Sequence, residues 1–193
     1  MTTITLALLV VLVGLTGLLI ARSPGQPAPL VDAGGQDIEG SLSERVFVEI
    51  NGIRQGMFMQ SVDPSKPVLL FLHGGPGMPM FFLNTTHPTG LEQDFTVVWW
   101  EQRGAGLSFH RDIPPESMTM DQLIADAIAV ADYLRDRFGQ DKIYLLGHSW
   151  GSFLGIQVAA AAPDRFHAYV GMAQIVYQLR SEVAACLLYT SPS

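Results

Sequence analysis

Residues 142–152 read KIYLLGHSWGS, and the ten that follow, FLGIQVAAAA, carry no charge. Lys142 to Leu146 reads as a strand buried on both faces, because such a strand loses the polar alternation of a half-exposed one. Ser149 to Ala162 is rich in Gly and Ala and reads as a helix, stopped by Pro163, which cannot continue it. Between the two lies Gly147-His148-Ser149-Trp150-Gly151, a G-x-S-x-G motif in the strand-turn-helix setting that the motif requires. A serine on so sharp a turn needs small neighbours two residues away, and Gly147, Gly151 and Ser152 provide that room. The helix also turns its unsatisfied N–H groups and the positive end of its dipole towards this point. Ser149 is therefore the candidate nucleophile and the Trp150 N–H a candidate oxyanion donor. The plainer alternative is that Ser149 only caps the helix.

Working outward, Val68 to Leu72 is a continuous apolar run, as a strand buried on both faces should be, followed by His73-Gly74-Gly75-Pro76-Gly77. Glycines after a strand let backbone amides approach a substrate carbonyl with no Cβ in the way. Val46 to Ile50 and Ile53 to Val62 alternate about Asn51-Gly52, the signature of an antiparallel hairpin. Phe95 to Trp100 is another buried strand, and Phe166 to Ile175 the last. Leu123, Ala127, Val130, Leu134 and Phe138 form one stripe of a helix with Thr119 as N-cap and Gly139 as C′ residue. The charged Asp121, Asp126, Asp132, Arg135 and Asp136 fall mostly off that stripe. Strands alternating with helices after an opening hairpin predict an α/β fold with a mostly parallel sheet.

The chain outside this region is different. Ile4 to Ala21 is uncharged over about eighteen positions, near the lower limit for a helix crossing the hydrocarbon core. Residues 1–21 are expected to be a membrane anchor or signal segment, with membrane contact through 4–21. A single-pass N-terminal anchor is favoured over secretion after cleavage, because no clean cleavage site follows. Residues 22–44 are rich in Pro and Gly and read as a tether. The folded domain is expected over 45–185.

Eleven Lys and Arg against eighteen Asp and Glu, with a net charge of −7 in 193 residues, argue against nucleic acid as a partner. One cysteine, Cys186, excludes an intramolecular disulfide and a multi-thiolate metal site. No metal or cofactor is called for.

LFLHGGPG (Leu70 to Gly77), VVWWEQRGAGLS (Val97 to Ser108) and GHSWGS (Gly147 to Ser152) together resemble the α/β-hydrolase superfamily, and within it the proline iminopeptidase-like serine peptidases. The resemblance covers Val46 to Val176, the N-terminal half of such a catalytic domain. It implies an α/β-hydrolase sheet cut after about its sixth strand, Ser149 as nucleophile, and Gly75 and Trp150 as the oxyanion-hole amides. His73 would order its loop rather than act as base, and His148 would adjoin the nucleophile with its ring turned away. Glu101 stands where the family has Asp, and is read with Arg103 as a loop-stabilising ion pair. A serine at the elbow disfavours epoxide hydrolases and haloalkane dehalogenases, which resemble this fold but use a carboxylate there.

The resemblance also implies an acid and then a histidine after the nucleophile. Asp164 and His167 have that order, but a helix of some thirteen residues carries the chain roughly 20 Å away from the catalytic edge. His87 and His110 precede the nucleophile. No triad acid or His is therefore assigned, and the expectation is a serine hydrolase that releases N-terminal residues from small peptides, represented by part of its domain. An esterase, lactonase or C–C hydrolase acting on another small substrate is the first alternative. An inactive fragment or a non-enzymatic anchored domain is the second. Residues 186–193, CLLYTSPS, resemble the translation of a sequencing adapter and are expected not to be native. Oligomeric state is left open.

Overall fold

The computed structural model describes residues 3–22 and 25–190. Residues 1–2 of the expected anchor, 23–24 of the expected tether and 191–193 of the expected adapter tail lie outside them. The strands are β1 (Leu42–Ile50), β2 (Ile53–Ser61), β3 (Val68–Leu72), β4 (Thr96–Trp100), β5 (Ile143–His148) and β6 (Phe166–Met172). They form one six-stranded sheet in the order β1-β2-β4-β3-β5-β6. The hairpin β1–β2 is antiparallel and joins β4 antiparallel, whereas β3, β4, β5 and β6 run parallel. This is the mixed sheet that the hairpin and the buried runs predict.

Helices α3 (Met120–Phe138) and α4 (Trp150–Ala161) pack on one face, and the short α2 (Phe81–Thr86) on the other. The strands read as unbroken apolar runs for that reason. Val68, Leu70 and Leu72 face the core shared with α3 and α4, while Leu69 and Phe71 face the cluster around Phe58, Phe81 and Trp99. Phe58 and Phe81 stack at 4.1 Å between centroids, which fixes α2 beside the β2 strand. Thr119 accepts a hydrogen bond from the Gln122 N–H at the start of α3, and Gly139 ends it at φ 62°.

Several boundaries differ from expectation. β1 begins at Leu42, and β6 stops at Met172 because Ala173 turns the chain at φ 49°. Asp126 is fully buried, although it was placed with the charged residues off the apolar stripe of α3. The stretch read as a tether is partly seated on the domain. Gln26 Oε1 accepts from the Arg45 N–H at 2.8 Å, the Ser43 hydroxyl donates to the Ala28 carbonyl at 2.6 Å, and Pro27 is buried. An outermost strand presents unpaired backbone groups, and this segment satisfies some of them.

At the ends of the chain, α1 (Thr3–Arg22) and α5 (Gln178–Thr190) are helical, so residues 186–190 continue a helix. Side chains of α1 are described at Thr5 and residues 8–18. Among the described residues no helix is long and apolar enough to cross a membrane.

Candidate active site

β3 and β5 are paired in parallel with Leu72 opposite Gly147, so the segments leaving them emerge side by side at one sheet edge. These segments are the His73–Gly77 loop and the Ser149 turn. Ser149 sits at φ 53°, ψ −120°, a conformation disfavoured for any residue with a Cβ, between the end of β5 and the first turn of α4. Its N–H donates to the Met172 carbonyl at 2.9 Å, and its carbonyl accepts from the Ser152 N–H at 2.8 Å.

Packing explains the glycines. A methyl group at Gly151 would overlap the Leu72 carbonyl and come within 2.7 Å of the His73 oxygen; one at Gly147 would lie 2.7 Å from Ser152 Cα. A methyl at Gly74 would lie 3.1 Å from Ser149 Cβ, so this loop backbone rests directly against the candidate nucleophile. Gly75, at φ 116°, is exposed at the mouth of the site, and its bond to Pro76 is cis. The structure thus brings Gly74, Gly75, Gly147, His148, Ser149, Trp150 and Gly151 to one place, with Pro76 and Gly77 completing the loop.

His73 is buried and both ring nitrogens are occupied. Nε2 accepts from the Gln102 N–H at 3.1 Å and Nδ1 donates to the Gly74 carbonyl at 2.9 Å, which assigns the neutral Nδ1–H tautomer. Burial pushes its pKa below the usual histidine range, opposed by the Gly74 bond. A ring so engaged supports its loop and does not take a proton from Ser149. Gln102 Nε2 returns a bond to the His73 carbonyl at 3.0 Å.

The expected Glu101–Arg103 ion pair is absent. Arg103 instead meets Asp126 of α3 at two points, Nε at 2.7 Å and Nη2 at 3.0 Å, and Nη2 also donates to the Asn51 carbonyl at 3.3 Å. Glu101 turns the other way, into a pocket where its carboxylate accepts from the Leu107 N–H and closes on Gly106. Burial raises its pKa, opposed by the Leu107 bond. A buried guanidinium needs two coplanar acceptors, and Asp126 offers them with no competing cation. Sequence reading missed Asp126 because an acid on a helix is ordinarily solvated; its signal was the two amides, Asn51 and Gln55, in the hairpin that packs over it.

Ser152 was also underread. Its hydroxyl donates to the Ser149 carbonyl at 2.6 Å and accepts from the Ile175 N–H at 3.0 Å, tying the turn to the segment after β6. Beside the turn a cavity of about 600 Å³ is lined by apolar Trp150, Phe153, Ile175, Val176, Tyr177 and Leu179; Ser149 itself is not among its walls.

The remaining histidines are elsewhere or unpaired. His167 lies at the start of β6, the far end of the sheet, against the Tyr144 ring at 5.2 Å. His87 contacts Thr86 Oγ1 at 3.0 Å and His110 the Arg54 carbonyl at 3.0 Å. His148 Nδ1 is buried without a hydrogen-bond partner. Asp164 is exposed and pairs with Arg165. Among the described residues no group of His, Cys, Asp and Glu is placed to hold a metal ion.

The alpha/beta hydrolase fold family matches residues 67–185, more than half of the chain, and the chain belongs to that family. It is 44% identical over 129 residues to "Probable aminopeptidase YbaC" of Bacillus subtilis, covering 67% of this chain and 41% of that one. A proline iminopeptidase of Thermoplasma volcanium is 33% identical over 119 residues, 62% of this chain and 38% of its own. Among solved structures, a proline iminopeptidase-related protein of Thermus thermophilus superposes with a TM-score of 0.56 at 29% identity, covering 69% of this chain and 45% of its own. An epoxide hydrolase of Vigna radiata gives 0.57 at 26%, over 79% and 47%. The chain spans about two fifths of the length of the curated relatives it matches.

Proposed function

We propose that this hydrolase works through a serine nucleophile, Ser149, and removes N-terminal residues from small peptides. The observation that carries the reading is the strained Ser149 turn with the Gly74 backbone packed against it. In this reading the Ser149 hydroxyl stands clear of strand and helix, and the amides of Gly75 and Trp150 would receive the developing oxyanion. Ser149 Oγ would attack the carbonyl following the N-terminal residue, and water would release the acyl group from it. None of the described histidines is assigned as the proton acceptor: His73 is engaged at both ring nitrogens, His87, His110 and His167 contact other groups, and His148 Nδ1 is buried without a hydrogen-bond partner. The aminopeptidase and proline iminopeptidase names of the relatives support the peptide substrate.

The test is hydrolysis of proline anilides against short acyl esters by the full-length gene product and by its Ser149→Ala variant. Anilide cleavage lost in the variant is expected. Ester cleavage alone would move the protein to the esterase reading, and activity that survives the substitution would remove Ser149 from the mechanism.

We further propose that residues 4–21 attach the protein to a membrane as a single N-terminal anchor, on the strength of their uncharged run. Deletion of residues 1–24 is expected to shift the protein from the membrane to the soluble fraction. Unchanged fractionation would refute it.

A further inference from the structure

Gln102 and His73 hold each other twice. The Gln102 backbone N–H donates to the His73 ring at 3.1 Å, and the Gln102 side chain donates to the His73 backbone carbonyl at 3.0 Å. All four groups are withdrawn from water, with Gln102 3% and His73 2% exposed. The two bonds therefore connect the segment leaving β4 to the segment leaving β3 through both main chain and side chain, which leaves the His73 peptide little freedom to rotate. The next peptide is Gly74, whose carbonyl is the acceptor for the His73 ring at 2.9 Å. Gly74 in turn lies against Ser149, and the Gly75 amide follows it.

The clasp also has a fixed base. Arg103, the residue after Gln102, is locked to Asp126 by its two-point ion pair, with side chains 2% and 0% exposed. Ser108 accepts from the Gly56 N–H at 2.8 Å and donates to the Glu101 carbonyl, holding the same segment to β2. A rigid segment that grips a glycine loop is an effective positioning device, since glycines supply no side-chain packing of their own.

We infer that Gln102 is a positioning residue for the proposed reaction, acting through His73 to fix Gly74 and the Gly75 amide against Ser149. It touches neither substrate nor reacting atoms. The inference rests on the Ser149 reading above and adds to it the element that sets the oxyanion geometry. An amide that drifts by about 1 Å forfeits on the order of 100-fold in rate, because its contribution exists only when it points at the developing charge.

The test is a steady-state comparison of the full-length gene product with Gln102→Glu and Gln102→Met. The first keeps size and replaces the amide donor with a carboxyl group; the second keeps length and removes both polar atoms. Both are expected to lower kcat about 10- to 100-fold while KM changes less than about 3-fold, because ground-state contacts do not run through this amide. In both, the 15N signals of the His73 ring are expected to retain the Nδ1–H pattern, since its bond to the Gln102 backbone remains. Thermal midpoints report folding independently. Equal kcat in folded variants would overturn the inference while leaving Ser149 in place. A rise in KM with kcat unchanged would overturn it too. Activity that survives Ser149→Ala in the same assay would overturn the nucleophile and this inference with it.

Discussion

Asp126 and Arg103 form a two-point ion pair with neither side chain reaching solvent, and the carboxylate is shared with three amides. Asn51 Nδ2, Gln55 Nε2 and Gln122 Nε2 each donate to it at 2.8 Å. Trp100 Nε1 continues the network to Gln55 at 2.9 Å. The hairpin, the end of β4, the following loop and α3 therefore converge on one buried charge.

The two halves of that pair are unequal. Without Arg103 the carboxylate keeps three donors, whereas without Asp126 the guanidinium keeps only the Asn51 carbonyl and the three amides lose their acceptor. Asp126→Ala is expected to cost about 3–5 kcal/mol, the range for an orphaned buried charge, and Arg103→Met about 1–3 kcal/mol. Urea denaturation of the two variants measures the difference. Equal losses would show that the amides contribute nothing to holding the carboxylate.

Gly151 and Gly77 separate two reasons for glycine. Gly151 is helical but has no space, since any Cβ meets the Leu72 carbonyl; Gly77 has open space but a φ of 81°. Gly77→Ala should cost about 1–2 kcal/mol, the penalty for a left-handed residue with a side chain. Gly151→Ala should cost more than about 4 kcal/mol or abolish soluble expression, because backbone cannot retreat from backbone. Chemical denaturation distinguishes them, and a mild Gly151→Ala would mean that α4 can slide away from β3.

Two buried groups near the site give opposed pH effects. His73 has a lowered pKa, so below about pH 6.5 the unfolded chain binds a proton that the folded one refuses, and its contribution is lost as pH falls. Glu101 has a raised pKa, so above about pH 4.5 the folded chain holds a proton that the unfolded one releases, and its contribution is lost as pH rises. Between those limits the two work against each other. Glu101→Gln removes one side of the balance, and the stability of the variant should then rise with pH more steeply than that of the parent. Parallel stability curves from pH 4.5 to 6.5 would refute the assignment.

The contrast between what could and could not be read from sequence follows from these residues. β3 was legible because burial on both faces removes every polar residue from its five positions, and β5 because Ile143, Leu145 and Leu146 form an apolar run directly before the glycine and serine of the turn. The turn at Ser149 was legible because its steric demand falls on Gly147 and Gly151, in fixed register with the serine. Asp126 was not, since apart from Gln122 one helical turn away its partners lie 23, 71 and 75 residues distant, and an i, i+4 amide does not mark a helix acid as buried. The Glu101–Arg103 pairing failed for the same cause: residues two apart in a loop need not face each other. The seating of Gln26 and Ala28 on β1 was hidden because low apolar content predicts no packing, and this contact is made of hydrogen bonds.

The strain at Ser149 makes a last expectation, in which stability and chemistry move apart. A non-glycine residue at φ 53°, ψ −120° carries about 1–3 kcal/mol of backbone strain. Glycine accepts that conformation without a Cβ penalty, though the more flexible unfolded chain returns part of the gain. Ser149→Gly is therefore expected to stabilise the protein by about 1 kcal/mol, while Ser149→Ala, which keeps the Cβ, leaves stability within about 0.5 kcal/mol of the parent. Both remove the hydroxyl and should be equally inactive. The comparison uses thermal and urea unfolding of the three proteins under one buffer. If alanine stabilises as much as glycine, the gain comes from losing the hydroxyl and not from relaxing the backbone, and the turn is not strained in the way its dihedral angles indicate.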